Sequence, residues 1–462
     1  EKYTEALALI KKENPFPAVC GRVCNRRCED ACTRGSVDSA VAIDAVKKFI
    51  AQKDLDAATR YIPPVVPAST GEGFSEKIAI IGAGPAGLSC AFYLAEKGYK
   101  PTVFEKNARP GGMLVYGIPS YKLEKDVVDA EIEVIRAMGV DIRCGVEVGR
   151  DVTLDQLRAE GYKAFYIAIG CQGGRKAGVP GEDAKGVFTA VDFLHAVAEN
   201  EHTPAAKRTV VIGGGNVAMD VTRSSIRLGA DKVTCVYRRR QADMTALPDE
   251  ITGALAEGAE LMTLAAPVRI EADEDGAAKA LWVQPQIIGE VDKAGRPRPG
   301  KAALEEVRIP ADVIVVAIGQ GVEIQGFDQA GVPIQRGAFV AGLSGQVRDM
   351  DSVFAGGDCV TGPATTIRAI AAGKVAAANI DEHLGFRHEI TVDVEIPSPK
   401  LNNSPPHGRI DTTEREACER KHDFEDIECG LTQEGACAEA GRCLRCDHFG
   451  YGIFRGGRNE KW

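Results

Sequence analysis

The sequence predicts an α/β protein with two Rossmann-like dinucleotide-binding domains, preceded by a helical region that carries clustered cysteines. A buried strand, a glycine-rich turn and a helix follow one another at residues 77–98, and the same unit recurs about 130 residues later, from residue 209. Before the first unit, residues 1–60 show helical periodicity, with Tyr3, Leu7 and Ile10 on one face.

The composition is that of an ordinary globular protein. With 462 residues, 44% apolar and 26% charged, the chain is long enough for roughly two to four domains. No apolar run approaches the ~18 residues of a membrane-spanning helix and no signal-peptide pattern is present, so we expect a cytoplasmic protein without membrane insertion. The 56 basic and 66 acidic residues give a net charge of −10, which argues against nucleic-acid binding.

Most of the 14 cysteines lie near the two ends of the chain. Without an export signal, such clusters bind metal more often than they form disulfides. The first group recurs every four residues: Cys20, Cys24, Cys28 and Cys32. On one continuous helix these would spread over ~18 Å, too far for a single cubane cluster. Either Gly21 and residues 25–27 interrupt the helix, or the cysteines serve two clusters. The spacing favours iron–sulfur over a structural zinc.

After a linker at residues 62–73, the stretch IAIIGAGPAG at residues 78–87 predicts a dinucleotide site. Gly82 permits the turn, Gly84 lets a pyrophosphate approach the backbone, and Gly87 lets helix and strand pack tightly. Glu105 ends the next strand, where a carboxylate can bind ribose hydroxyls. The alternative is a glycine-rich turn without a ligand. The candidate contacts are Gly82, Gly84, Pro85, Ala86, Gly87, Glu105, Lys106, Gly112 and Met113.

The second loop, TVVIGGGNVAMD at residues 209–220, predicts a nicotinamide dinucleotide site. The following strand ends in three arginines instead of an acid. Guanidinium groups bind the extra phosphate of NADP, which an acid would repel, so we favour NADP over NAD. The alternative is a solvated basic turn. The candidate contacts are Gly213, Gly215, Asn216, Ala218, Arg238, Arg239, Arg240 and Gly319.

Residues 261–310 read as short strands and polar turns, and residues 312–318 and 353–355 as buried strands. The second of these runs into GGD and then a helix. There Asp358 can hold a ribityl or ribose hydroxyl; the alternative is a helix cap. The candidate contacts are Gly357, Asp358, Thr365 and Thr366.

A flavin dinucleotide at the first loop and a nicotinamide dinucleotide at the second need no catalytic acid or base. Hydride passes directly between the two rings when they are stacked. Between residues 33 and 417 no CxxC or CxxxxC occurs, which excludes a disulfide reductase with a redox-active pair there; Cys171 is expected to be packed structure. The chain after residue 387 reads as a charged tail. Its GRCLRC stretch places Cys443 and Cys446 as a candidate metal pair, to which Cys429 and Cys437 could add; the alternative is reduced surface thiols.

These stretches together resemble the small subunit of glutamate synthase and its relatives. The relatives include the NADPH-binding subunit of electron-bifurcating ferredoxin:NADP oxidoreductases and the N-terminal part of dihydropyrimidine dehydrogenase. The matching stretches are residues 14–32, 78–98, 111–123, 210–220, 233–240 and 353–366. The resemblance implies an FAD domain split around an NADP domain, with a helical N-terminal domain that holds [4Fe–4S] clusters.

The expected division has five parts: a helical iron–sulfur domain and linker (1–73), the FAD domain in two parts (74–200 and 319–386), the NADP domain (201–318) and the C-terminal tail (387–462). In the family a cysteine-rich half precedes the helical domain, and this chain starts at Glu1, so one of two clusters would lack ligands here. Some relatives complete a cluster with Gln or Glu; that position looks like Lys47, which cannot ligate when charged. Cys20 either substitutes or is a bystander.

The resemblance implies a flavoprotein subunit that moves hydride between NADP(H) and FAD and exchanges single electrons, through [4Fe–4S] clusters, with a partner subunit that carries further flavin or iron–sulfur centres. A hetero-oligomer is expected, and an electron-bifurcating complex is one kind of assembly in which such a subunit could work. The alternatives are a glutamate synthase small subunit, a self-contained ferredoxin–NADP reductase, which would not need the terminal cysteines, and a scaffold subunit with vestigial nucleotide sites.

Overall fold

The computed structural model describes residues 2–65, 74–199, 207–291, 295, 297–398 and 407–447. The linker residues 66–73 and the last fifteen residues, 448–462, lie outside the described part. Within the described ranges, no helix combines the length and the apolar character needed to cross a membrane.

The N-terminal region is helical, as its periodicity predicts. Its helices are Tyr3–Glu13, Pro17–Val23, Arg27–Asp30 and Ile43–Leu55, with a 3₁₀ turn at Thr33–Ser36. The helix that carries Cys20 continues through Gly21 and ends at Val23, and Arg26 takes a left-handed backbone conformation (φ 57°). Residues 24–26 therefore interrupt the cysteine segment, overlapping the predicted stretch 25–27, whereas Gly21 does not.

The first sheet contains five parallel strands, and its strand order confirms the split domain. The order is Val353–Ala355, Tyr162–Ile167, Lys77–Ile81, Thr102–Glu105 and Asp141–Cys144. The outermost strand, Val353–Ala355, follows all strands of the second parallel sheet in the sequence, yet it pairs into the first sheet. The helices of this part are Pro85–Glu96, Met113–Tyr116, Lys125–Ala137, Leu154–Ala159, Asp358–Thr361 and Thr366–His383.

Both faces of the first sheet are buried, as expected for parallel strands covered by helices. Ile78 and Ile80 point into the core that includes Phe92, while Ala79 and Ile81 point into the core on the opposite face. This rigid central strand leads directly into the glycine turn at residue 82.

The second sheet repeats the parallel arrangement and carries an antiparallel extension. Its order is Val187–Thr189, Val313–Val316, Arg208–Ile212, Lys232–Tyr237 and Glu260–Thr263. Its helices are Ala190–Ala198, Asn216–Arg227 and Pro248–Ala256, with a 3₁₀ turn at Gln241–Asp243. The predicted short strands form an antiparallel sheet from Ala265–Ala272, Ala278–Val291, Pro297–Lys301 and Val307–Pro310. Two short pairs, Gly173–Gly174 with Gln320–Gly321 and Ile334–Gln335 with Ala338–Phe339, complete the sheets of residues 74–386.

The C-terminal segment packs back onto the body, which the sequence pattern did not indicate. Residues 407–447, here called the C-terminal strap, contain the elements Thr413–Glu414, Ala417–Arg420, Glu428–Cys429 and Gln433–Gly441. Glu428 of the strap pairs with Arg26 at 3.2 Å, in the N-terminal helical region. Arg420 pairs with the fully buried Glu257 of the second sheet domain at 2.9 Å. The strap thus joins the N-terminal helices to the second sheet.

Candidate functional site

The first glycine loop has tight constraints on two glycines and open space at the third. A Cβ on Gly82, which has φ 101°, would lie 2.6 Å from the Ala168 carbonyl oxygen. A Cβ on Gly87 would lie 1.9 Å from the Gly82 carbonyl oxygen. At Gly84 a Cβ would meet nothing within 4 Å. The backbone at Gly84 is therefore open to a phosphate, at the start of the Pro85–Glu96 helix.

Glu105 orients this loop from the end of its strand. Its carboxylate accepts the Ala83 N–H at 2.7 Å and the Asn107 N–H at 2.9 Å. Burial raises the pKa of Glu105, and the two N–H donors oppose that shift. A cleft of about 480 Å³ opens beside it, lined by Gly82, Glu105 and Lys106 among others. The Lys106 side chain pairs with Glu323 at the rim.

Two distant segments close around the same loop. A Cβ on Gly112 (φ 54°) would lie 2.9 Å from the Gly84 Cα, and one on Gly357 (φ 75°) would lie 2.9 Å from the Ala86 Cβ. The structure thus brings together three stretches that the sequence analysis singled out separately. Burial raises the pKa of the adjacent Asp358 to about 6. Met113 begins the Met113–Tyr116 helix, and Thr365 and Thr366 begin the Thr366–His383 helix.

The second glycine loop is built in the same way. A Cβ on Gly213 would lie 2.3 Å from the Ala317 carbonyl oxygen, and one on Gly214 would lie 2.5 Å from the Tyr237 ring. Ala218 is fully buried, and Asn216 accepts the Leu247 N–H through Oδ1 at 2.8 Å. Gly319 follows the Val313–Val316 strand with φ 130°, close to the Arg175 side chain.

The three arginines after the second loop differ in their contacts. Arg240 forms a two-point ion pair with Asp243, both bonds at 2.9 Å. Arg239 donates through Nε to the Pro297 carbonyl at 3.1 Å. Arg238 is exposed and has no hydrogen-bond or ion-pair partner within the described ranges. Only Arg240 thus has its charge paired with an acid; Arg239 is held by a backbone carbonyl, and Arg238 has its whole guanidinium open to a ligand.

The cysteines of the N-terminal region separate by environment. Cys20 is buried; its thiol donates to Asn14 Oδ1 at 3.8 Å, and burial raises its pKa to about 12. Cys28 lies beyond the backbone interruption; its side chain is exposed, but desolvation by its surroundings raises its pKa to about 11, and Cys24 is an electrostatic neighbour. The positive charge of Lys47 opposes the rise in the pKa of both Cys20 and Cys28. Its ammonium pairs with Asp44 at 2.5 Å.

No three Cys, His, Asp or Glu side chains within the described residues are close enough to hold a single metal ion. A tetrahedral zinc with 2.3 Å bonds would need its sulfurs about 3.8 Å apart. A cubane cluster is larger and holds its thiolates farther apart. The described residues therefore contain no ready-made site for a single ion of that kind.

Sequence reasoning missed the contacts that join the two sheet domains. The Lys122 ammonium bonds Asp220 at 2.9 Å and Glu250 at 2.8 Å. The Tyr116 ring stacks on the His195 ring, with centroids 4.5 Å apart. Residues 111–123 were already a matching stretch of the resemblance, but nothing in their pattern indicates which acids they meet.

Comparison with known families agrees with this geometry. The profile of the pyridine nucleotide-disulphide oxidoreductases matches residues 76–373, more than half of the chain. The chain belongs to this family. A second profile, described as dihydropyrimidine dehydrogenase domain II with a 4Fe-4S cluster, matches residues 1–59. The chain is therefore an NADPH-dependent oxidoreductase whose cofactors are FAD, NADP(H) and a [4Fe–4S] cluster.

Curated relatives confirm the resemblance drawn from the motifs. The chain is 38% identical to the β subunit of the NADP⁺-dependent formate dehydrogenase of Moorella thermoacetica, over 98% of this chain and 68% of the relative. It is 32% identical to the NADPH-Fe³⁺ oxidoreductase β subunit of Geobacter sulfurreducens, over 96% of this chain and 71% of the relative. It is 35% identical to the glutamate synthase small chain of Escherichia coli, over 81% of this chain and 82% of the relative.

Among solved structures, Mycobacterium tuberculosis FprA in complex with NADPH has a TM-score of 0.57 and 20% sequence identity, covering 67% of this chain and 85% of FprA. At that identity the likeness shows the fold alone. It agrees with the predicted fold class of two dinucleotide-binding domains, one of them split.

Proposed function

We propose that this chain moves hydride between NADP(H) at the second glycine loop and FAD at the first, and exchanges single electrons with a redox partner subunit through iron–sulfur centres. One observation carries the proposal: a single segment connects the two loops. Gly112 closes on Gly84 in the first loop, and farther along the same segment Lys122 bonds Asp220. Asp220 lies one turn into the helix that starts at Asn216, directly after the second loop.

The chain's own residues supply positioning for this reaction. Gly82 permits the turn, Gly87 permits close packing of helix and strand, and Gly84 keeps the backbone clear for a pyrophosphate, while Glu105 fixes the loop through the Ala83 N–H. Bound FAD supplies the conversion between two-electron and one-electron chemistry. Because hydride passes directly between the rings, no side chain is assigned as a general acid or base.

The partner follows from the kind of relative that the chain matches. The formate dehydrogenase, Fe³⁺ oxidoreductase and glutamate synthase relatives are all named as β subunits or small chains. We infer that this chain also works in a hetero-oligomer, with the final electron acceptor or donor on another subunit.

Anaerobic titration of the purified chain with NADPH tests the hydride step. Loss of the flavin absorbance bands supports the proposal. A scaffold subunit with vestigial sites would keep those bands unchanged at any NADPH concentration.

Arg238→Ala should raise the KM for NADPH about tenfold while changing the KM for NADH little. The exposed, unpaired guanidinium of Arg238 is free to bind the 2′-phosphate, and a charge-assisted bond contributes ~1.5–3 kcal/mol. The matched control is Arg240→Ala, whose charge already pairs with Asp243. Steady-state kinetics with both nucleotides measure this. Equal losses for NADPH and NADH in the Arg238 variant would contradict a phosphate contact.

Lys122→Met should slow flavin reduction at saturating NADPH by tenfold or more. The substitution removes the partly buried contact between the first domain's 111–123 segment and Asp220, so the two rings lose their alignment. Tenfold corresponds to about 1.4 kcal/mol in the barrier. Stopped-flow absorbance measures the rate, and the long-wavelength band of the nicotinamide–flavin complex should weaken with it. Lys232→Met, which removes an exposed pair with Glu260, should leave both unchanged.

A further inference from the structure

The C-terminal strap inserts an arginine into a buried group of charges beside the second glycine loop. Arg420 is 5% exposed, and its Nε donates to the Glu257 carboxylate at 2.9 Å. Glu257 also pairs with Arg223 and Arg227, each at 2.6 Å, on the helix that starts directly after that loop. Burial raises the pKa of Glu257, but the hydrogen bonds from Arg227 and Arg223 lower it to about 2, so the carboxylate stays charged.

These charges continue into the contact between the two sheet domains. Arg223 also pairs with Glu250 at 2.9 Å, and Glu250 pairs with Lys122 at 2.8 Å. Lys122 belongs to the first sheet domain and bonds Asp220 of the second at 2.9 Å. A continuous series of ion pairs therefore leads from Arg420 on the strap to Lys122 at the domain contact.

The strap also contacts the residue before Lys122, through both its ring and its backbone. The Tyr121 ring is buried, with the Arg227 guanidinium 3.9 Å from its centroid and the centroid of the Phe424 ring 6.2 Å away. The Ile427 N–H donates to the Tyr121 carbonyl at 3.1 Å. One short stretch of the strap therefore meets both the first domain and the charges of the second.

The N-terminal helices hold the far end of this stretch. Lys48, a buried residue of the helix Ile43–Leu55, places its ammonium 3.4 Å from the Asp426 carboxylate and 3.3 Å from the Glu428 carboxylate. Removing one partner of a buried ion pair leaves the other unpaired at high cost. The strap from Arg420 to Glu428 is thus fixed at both ends, against the domain contact on one side and the N-terminal helices on the other.

A domain contact built from charges needs its partners in place to hold one geometry. Domains of a single chain move relative to each other unless a large apolar interface joins them. Hydride transfer requires reacting atoms about 3–3.5 Å apart, so a small rotation of one domain against the other is enough to slow it. Residues that restrain this rotation therefore control the reaction without touching the nucleotides.

We propose that Arg420 is a positioning residue for hydride transfer. It acts through Glu257 and Arg223 on Lys122, and the strap thereby holds the two sheet domains in the orientation in which the nicotinamide and flavin rings stack. The inference rests on the proposed hydride step. It adds a segment outside both sheet domains to the elements that control that step.

Stopped-flow reduction of bound FAD by NADPH tests Arg420→Met in the full chain. The limiting rate should fall about fivefold or more, because the rings lose part of their alignment, while the half-saturating NADPH concentration should change less than about twofold. The long-wavelength band of the nicotinamide–flavin complex should weaken in parallel. Glu257 keeps Arg223 and Arg227 as partners, so the variant should fold and retain FAD.

Three further variants sharpen the test. Arg420→Lys keeps a positive charge beside Glu257 and should recover part of the rate. Phe424→Ala loosens the strap without changing a charge, so it should also slow reduction, and it gives the same test should Arg420→Met fail to retain FAD. Arg415→Met serves as the control, because it removes a pair with Asp423 that stays within the strap, and it should keep the wild-type rate.

A double variant separates action through Lys122 from an independent effect. Arg420→Met combined with Lys122→Met should be no slower than Lys122→Met alone, and losses that multiply would overturn the proposed route. Wild-type rates in both Arg420→Met and Phe424→Ala would overturn the positioning role, as would a raised half-saturating NADPH concentration at an unchanged limiting rate. A wild-type chain whose flavin NADPH does not reduce would instead contradict the hydride step itself.

Discussion

Gly84→Val should give a folded protein that purifies without flavin. At Gly84 a Cβ meets nothing within 4 Å of protein, and the backbone φ of −80° suits valine, so the loop can accept the side chain. The isopropyl group then occupies the space that a pyrophosphate needs beside the backbone. We expect loss of the flavin absorbance bands with a native circular dichroism spectrum, and an unfolding temperature equal to that of the wild-type chain stripped of FAD.

Two other glycines serve as matched controls for that experiment. Gly82→Ala should instead lower stability, because its Cβ would lie 2.6 Å from the Ala168 carbonyl oxygen at a positive φ. Gly215→Val, in the second loop, should keep FAD and lose reduction by NADPH. Full flavin occupancy in Gly84→Val would show that this loop does not bind the FAD pyrophosphate.

The dinucleotide loops could be predicted from sequence because their constraints are local. A turn at Gly82 and close packing at Gly87 each depend on residues within one strand–turn–helix unit, so their pattern survives in the sequence. The split fold followed from the resemblance, and the strand order with Val353–Ala355 at the sheet edge confirms it.

The strap and the domain contact could not be predicted, because they depend on charged residues far apart in the chain. Arg442 meets Asp38 across about 400 residues, and Lys122 meets Asp220 across 98. Charged residues without apolar periodicity read as a solvated tail, and only the folded chain shows which of them are buried. For the same reason the sequence alone could not tell apart the three arginines after the second loop, of which only Arg240 forms an ion pair with Asp243.

The contacts around the cysteines also explain why their spacing alone could not decide between an interrupted helix and two separate clusters. The helix interruption depends on the left-handed backbone of Arg26, a residue that has no intrinsic preference for it. Such conformations persist where the surroundings determine them, and they concentrate at functional sites. Arg26 lies between Cys24 and Cys28, and Arg445 lies between Cys443 and Cys446, so both cysteine pairs share this feature.

Cys28→Ala should abolish electron delivery to a one-electron acceptor while leaving flavin reduction by NADPH intact. Cys28 is exposed, so its truncation removes the proposed cluster ligand without opening a cavity in a core. The NADPH and FAD loops belong to the two sheet domains, whereas Cys28 belongs to a short helix of the N-terminal region, so the hydride step should keep its rate.

The measurement for Cys28→Ala is paired. Stopped-flow absorbance follows flavin reduction by NADPH, and iron content with electron paramagnetic resonance follows the cluster. The control is Cys418→Ala, an exposed cysteine on the strap, which should change neither. A Cys28 variant that keeps full iron and full electron delivery would remove the N-terminal centre from the route.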